Sequence, residues 1–285
     1  MDWQEFQSLQ QVSELGNHFI SYADEGGGDP VVLIHGIPTW GYLWEGVMQG
    51  LSKSRRVLVP DLLGFGYSDK SDRFDRSIDN QAKMLAAWME KIGLALADFV
   101  GHDIGGGVAL RLAVSFPEKV RSLCVMNTVC YDSWPVEMML QLGHPSARRL
   151  MSASAYIAVL SKALRQGFAS SPSKKFVQGL LTPYRTEVGK VSLIRNATAL
   201  NTNLTTELTP RLSHIMAPTL ILWGENDVFQ LVKYGEWLAR DIPEASLIRI
   251  SKARHFVMVD QTDQVIDHLA SFLTPRREPI AALPA

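Results

Sequence analysis

Apolar residues in this chain fall into short unbroken runs separated by longer stretches where they recur every three or four positions. The runs "VVLIHG", "RRVLVPD", "ADFVGH", "VRSLCVMN", "PTLILWGEND" and "ASLIRISKARH" each close on turn or polar residues. Runs of that length suit strands covered on both faces, as in a mostly parallel sheet. "HFISYADEG" alternates apolar with polar positions and predicts a half-exposed edge strand. Helical spacing marks "SIDNQAKMLAAWMEKIG", "GGVALRLAVSF", "LVKYGEWLARDI" and "TDQVIDHLASFL". Ser77 stands where the first of these needs an N-cap, and Gly93 where it needs a stop. Strands and helices in alternation predict an α/β fold: a mostly parallel central sheet flanked by helices.

One stretch breaks the rhythm. From about Tyr131 to His214 no buried strand is evident. Helical runs such as "SARRLMSASAYIAVLSKALRQGF" are broken there by "SSPS" and "LTPYRT". The pattern divides the chain into a core of residues 1–130 and 214–285 and an inserted helical cap of 131–213. An insertion at that point lies over the carboxyl ends of the strands, where open α/β sheets bind ligands. The ending "TPRREPIAALPA" is proline-rich and aperiodic and is expected to fray.

Composition narrows the classes of partner. Hydrophobic residues make up 46% and charged residues 20%, an ordinary globular balance, and the formal net charge is -1. That charge leaves no basic footprint for nucleic acid or an anionic membrane. The opening "MDWQEFQSLQ" has neither a basic nor an apolar region of the secretory kind, and no apolar run approaches a membrane span. Cys124 and Cys130 are expected to be reduced thiols, and a cytoplasmic location follows as an expectation. Neither cysteine is framed by a glycine turn or a helix start that would make it a nucleophile.

The chemistry begins at "DFVGHDIGGGVALRLAVSF", which reads as strand, sharp turn and helix. Gly101 and Gly105 flank Asp103 at the spacing of a G-x-nucleophile-x-G elbow. Such a turn holds the nucleophile in a strained conformation at a helix start. The N–H of Ile104 and the helix dipole there favour negative charge. An aspartate occupies the place where a hydroxyl is expected. Three further features end predicted strands. "LIHGIPTW" offers a second oxyanion N–H from Ile37, "LILWGEND" presents Asp227, and "ISKARHFVMVD" presents His255. Nucleophile, acid and histidine follow in the order this architecture requires. His35 is expected to brace its own loop, and His102 to pack beside the elbow.

Those motifs resemble the α/β-hydrolase superfamily over nearly the whole chain, with the helical insertion as a cap. "HGIPTWGYLW", "PDLLGFGYSDK" and "GHDIGG" resemble its aspartate-nucleophile branch, which holds haloalkane dehalogenases and epoxide hydrolases. The resemblance implies a covalent mechanism. Asp103 displaces a leaving group at a saturated carbon of a small hydrophobic substrate, and His255, oriented by Asp227, activates water against the resulting ester. The N–H groups of Ile37 and Ile104 hold the oxyanion. No metal or organic cofactor is implied.

The leaving group divides the branch. In dehalogenases of this kind, side-chain N–H donors after the nucleophile and after the His-Gly pair cradle the halide; here Ile104 and Ile37 fill those places. Trp40 and Trp134 are substitute donors. Epoxide hydrolases take tyrosine hydroxyls from the cap, for which Tyr156 and Tyr184 are the candidates and Tyr131 a weaker one. Epoxide hydrolysis therefore stands slightly ahead of dehalogenation. Ester, lactone or C–C hydrolysis with Asp103 as a base, and a ligand-binding protein on the same scaffold, remain as alternatives. The sequence leaves the oligomeric state open.

Overall fold

The structure is a computed structural model and describes residues 1–273; the expectation for the tail lies outside those residues. Eight strands form one sheet: β1 (Gln10–Leu15), β2 (His18–Gly26), β3 (Pro30–Ile34), β4 (Arg56–Pro60), β5 (Ala97–His102), β6 (Val120–Met126), β7 (Thr219–Gly224) and β8 (Ser246–Ile250). Their spatial order is β1-β2-β4-β3-β5-β6-β7-β8. From β4 onward every neighbouring pair is parallel, while β2 pairs antiparallel with both β1 and β4. All six apolar runs become strands of the parallel part.

Two edge assignments change. β2 is not the edge, because β1 covers it. β1 is spelled "QQVSEL" and buries one residue well, so its polar outer row disguises it in sequence. β8, expected to be covered on both faces, closes the opposite edge and is largely half-buried or exposed.

Thirteen helices flank the sheet among the described residues. α1 (Trp3–Ser8), α2 (Glu45–Leu51), α3 (Ile78–Lys91) and α4 (Ile104–Ser115) precede β6. Ser77 caps α3, its hydroxyl accepting the N–H of Asn80 at 3.2 Å. α11 (Val232–Asp241) links β7 to β8, and α12 (Val257–Asp260) and α13 (Thr262–Phe272) follow. No described helix is long and apolar enough to cross a membrane.

The segment between β6 and β7 is helical: α5 (Glu137–Gly143), α6 (Pro145–Leu150), α7 (Ala153–Leu164), α8 (Lys174–Leu181), α9 (Glu187–Thr198) and α10 (Asn203–Thr206). The run read as "SARRLMSASAYIAVLSKALRQGF" is broken in two at Ser152, whose hydroxyl caps α7. Buried residues of this segment continue into the sheet's core, so apolar packing runs through both without a break. Cys124 and Cys130 are buried free thiols.

Candidate active site

β5 delivers Asp103 to the sheet's carboxyl edge and α4 starts on the next residue. Asp103 takes φ 54° and ψ -124°, a conformation L-residues avoid at a cost of about 1–3 kcal/mol. Its carbonyl is bound by the N–H groups of Gly106 and Val129, both at 3.1 Å, by that of Gly107 at 3.3 Å and by the Thr128 hydroxyl at 3.1 Å. At roughly 0.5–1.5 kcal/mol each, those bonds offset the strain. Close approach also demands glycine: a Cβ on Gly105 would sit 2.3 Å from the Ile34 carbonyl oxygen, and one on Gly36 would sit 2.4 Å from the Asp103 Cβ.

The two carboxylate oxygens of Asp103 face different groups. Oδ1 accepts the Ile37 N–H at 2.9 Å, and the Ile104 N–H beside the carboxylate pulls its acidity the same way. Oδ2 lies 3.7 Å from His255 Nε2, within ion-pair range and outside hydrogen-bond range. On the far side of the ring, His255 Nδ1 donates to Asp227 Oδ2 at 2.9 Å. A carboxylate only accepts, so this bond fixes the proton on Nδ1 and leaves the Nε2 lone pair toward Asp103. Asp227 is itself pinned: Phe229 N–H donates to Oδ1 and the Asn127 amide to Oδ2, each at 2.7 Å.

Burial sets the electrostatics. It raises the Asp103 carboxyl above the usual carboxylate value, although His255 and the two N–H groups pull the other way. Burial alone would lower His255, but the Asp227 charge and hydrogen bond, with Asp103 behind them, raise it above its ordinary value.

A pocket of about 520 Å³, counting the space that opens to solvent, exposes Asp103 and His255. Strand-end loops supply Ile37, Ile104, Val129 and Phe229; the helical segment supplies Met139 from α5 and Leu160 and Leu164 from α7. The wall is apolar almost throughout, which suits an apolar ligand.

This arrangement of strands and turns is matched in other proteins. The alpha/beta hydrolase fold family matches residues 29–164. A crystal structure of an alpha/beta hydrolase fold protein from Burkholderia ambifaria superposes with a TM-score of 0.87 at 25% identity, over 92% of this chain and 97% of that one. The chain has the α/β-hydrolase fold. It is also similar to a cis-3-alkyl-4-alkyloxetan-2-one decarboxylase of Shewanella oneidensis, at 27% identity over 92% of this chain and 87% of that protein. Haloalkane dehalogenase 2 of Mycobacterium bovis is 28% identical over 86% of this chain and 88% of its own.

Within this α/β-hydrolase fold, five residues predicted from sequence meet at one point: Asp103, Asp227, His255, Ile37 and Ile104. The two supporting histidines also sit as expected. His35 Nδ1 donates to the Gly36 carbonyl and Nε2 accepts the Leu62 N–H, both at 3.0 Å; burial lowers its pKa to about 4. His102 packs 4.5 Å from the His255 ring and donates from Nε2 to the His255 carbonyl at 2.9 Å.

The four leaving-group candidates do not join them. Tyr184 donates to the Thr39 carbonyl at 2.8 Å and accepts the Gly66 N–H at 3.2 Å, away from the pocket wall. Tyr156 is fully buried with its hydroxyl toward the Leu142 carbonyl at 3.4 Å. Trp40 gives its indole N–H to the Gly179 carbonyl at 3.0 Å. Trp134 lines the pocket, but its N–H goes to Thr205 Oγ1 at 2.7 Å. The weaker candidate Tyr131 donates to Asp241 at 2.8 Å. Each polar atom is already satisfied elsewhere, and freeing it would leave a buried partner unpaired.

Two residues of the site escaped the sequence reading. Asn127 follows β6 and braces Asp227, while its Oδ1 accepts the Gly224 N–H at 3.0 Å. Gln230 follows Asp227 by three positions and lines the pocket. Asn127 directly follows the carboxyl end of β6 and Gln230 lies in the loop after β7, the signal that could have found them.

Proposed function

We propose that this chain cleaves a carbon–halogen bond in a small apolar substrate by covalent displacement at a saturated carbon. Asp103 Oδ2 attacks the carbon, a C–O bond forms, and halide leaves with the bonding electrons. His255 Nε2 then takes a proton from water, and the hydroxide adds to Cγ of Asp103. The N–H groups of Ile37 and Ile104 hold the oxyanion until the ester collapses to alcohol and carboxylate. Esterification removes the Asp103 charge, so His255 becomes a readier proton donor after it has served as base. The helical segment acts as a cap whose side chains shape the apolar wall.

The observation that carries this reading is the split carboxylate: one oxygen tethered by the Ile37 N–H, the other open toward a histidine already locked by Asp227. Epoxide opening ranks behind it. A departing alkoxide needs an acid, and neither Tyr156 nor Tyr184 lines the pocket among the described residues. A halide leaves unprotonated. The similarity to a haloalkane dehalogenase agrees with this order.

One observation favours a second reading. The side chains at Ile37 and Ile104 offer no N–H cradle for halide. A strained four-membered lactone needs none, because its leaving group is a carboxylate that stays attached to the substrate. Attack by Asp103 at the ring carbon would give an ester bearing a carboxylate. Loss of carbon dioxide would then release an alkene and restore Asp103, with no water consumed. The name of the Shewanella relative describes a reaction on such a ring.

His255→Gln, incubated with 1-bromoalkanes, terminal epoxides and 3,4-dialkyl-oxetan-2-ones, tests these readings. The expected result is a stoichiometric adduct on the peptide holding Asp103, seen by mass spectrometry, with free halide from the bromoalkanes. A bromoalkane or epoxide that the wild type turns over but that leaves no adduct on the variant would overturn the displacement reading. Alkene and carbon dioxide from an oxetanone would select the second.

A further inference from the structure

Gln230 is the one uncharged side-chain amide on the pocket wall among the described residues. It is 2% exposed, and its Oε1 is buried without a hydrogen-bond partner. Its backbone is fixed: the Trp223 indole donates to the Gln230 carbonyl at 2.9 Å, and the preceding Phe229 N–H is held on Asp227. The Phe229 ring meets the His255 imidazole edge-on at 5.3 Å, so the loop that carries Gln230 runs beside the histidine. A Met or Leu would fill the same wall at no polar cost. An amide oxygen with nothing to accept is expensive there until a donor arrives. A haloalkane brings no donor; water does.

We propose that Gln230 positions the hydrolytic water, its Oε1 accepting one water proton while His255 Nε2 accepts the other. Held by two acceptors, the water turns a lone pair toward Cγ of the Asp103 ester. Proton transfer to His255 and bond formation to Cγ follow; the protonated imidazole then hands its proton to the departing alkoxide. The proton left on the new carboxyl goes to solvent. This inference rests on the covalent displacement reading and gives the second half-reaction its own residue. The amide leaves the first half-reaction untouched.

The test separates the halves. Wild type, Gln230→Met and His255→Gln are mixed with a bromoalkane that the wild type turns over. Halide release is followed during the first turnover, and the intact protein is weighed. For Gln230→Met the expected result is a halide burst at the wild-type rate within about twofold. Turnover after the burst should slow about 10- to 100-fold, with the adduct on Asp103 building up. An unaltered burst also certifies that the variant is folded. A slowed burst with no adduct would overturn the proposal and make the amide a leaving-group donor. Loss of both phases together would make it structural, and no change in either would leave it without a role; each outcome overturns the proposal. If His255→Gln accumulates adduct and Gln230→Met does not, this inference alone fails. If neither does, the displacement reading fails with it.

Discussion

The strand-end loops and the helical segment between β6 and β7 meet across one pocket and spend their polar atoms differently. On the sheet side, polar groups converge on the pocket: Asp103, His255 and Asp227 form a chain, and backbone N–H groups from two loops feed its ends. On the helical side they turn away and fasten the segment. Tyr184 bonds the Thr39 carbonyl, Ser192 and Asn196 bond the Gly64 carbonyl, and Trp134 bonds Thr205 within the segment. What the segment presents to the pocket is apolar, including Trp134, Met139, Leu160 and Leu164. One side supplies chemistry and the other supplies shape. On the proposed reading, a substrate is chosen by how its apolar body fits, while its reactive carbon is fixed by the sheet.

The sharpest way to strain that division is to loosen the sheet side without touching the reacting atoms. Asn127 holds Asp227 Oδ2 and the Gly224 N–H at once, from a backbone with φ 41°. Asn127→Gly removes both bonds and keeps a residue that tolerates that φ. Asp227 then loses one of its fixed donors, and the imidazole it orients gains freedom. Turnover should fall on the order of 10- to 100-fold with KM nearly unchanged. A change confined to KM would mean that Asn127 shapes the pocket instead.

The same division explains what the sequence revealed. A buried strand needs an unbroken apolar run, and a sharp elbow needs glycines where backbones touch. Both requirements are written in consecutive residues, so the sheet and the positions of Asp103, Asp227 and His255 were legible. β1 was not, because an edge strand with a polar outer row carries no such run. The donors were misread for a different reason. Sequence places Tyr156 and Tyr184 in the helical segment, but the direction of a hydroxyl depends on packing between elements far apart in the chain: Tyr184 and Thr39 are 145 positions apart. Asn127 went unnoticed because it acts through Asp227, which already had a role.

A smaller effect comes from acidity. Burial raises Asp103; burial is also the largest single influence on His255, but Asp227 and Asp103 together outweigh it and leave His255 above its ordinary 6.5. In the proposed mechanism Asp103 attacks when ionised, while His255 must be neutral to take a proton. As pH falls below the His255 value, hydrolysis slows up to tenfold per unit while alkylation continues until Asp103 itself protonates. Losing the Asp103 charge in the ester lowers His255 and moves that limb to more acid pH than in the free protein. Wild-type protein quenched in turnover should carry more adduct as pH drops through the His255 value of the ester. Adduct that stays constant with pH would mean that His255 is not the base.

The smallest expected effect probes the helical side. Tyr184→Phe deletes a hydroxyl that bonds the Thr39 carbonyl and the Gly66 N–H, leaving both buried, and should cost about 1–3 kcal/mol of stability. Tyr156→Phe loses one long bond at 3.4 Å and should cost less. Neither hydroxyl faces the pocket, so single-turnover rates should stay within about twofold for both, at temperatures well below the melting transition. The pair is informative because stability and rate are expected to part company. A Tyr184→Phe protein with an unshifted melting temperature and a collapsed rate on epoxides would place a proton donor on the helical side. The division between chemistry and shape would then be wrong at the point where epoxide and halide differ.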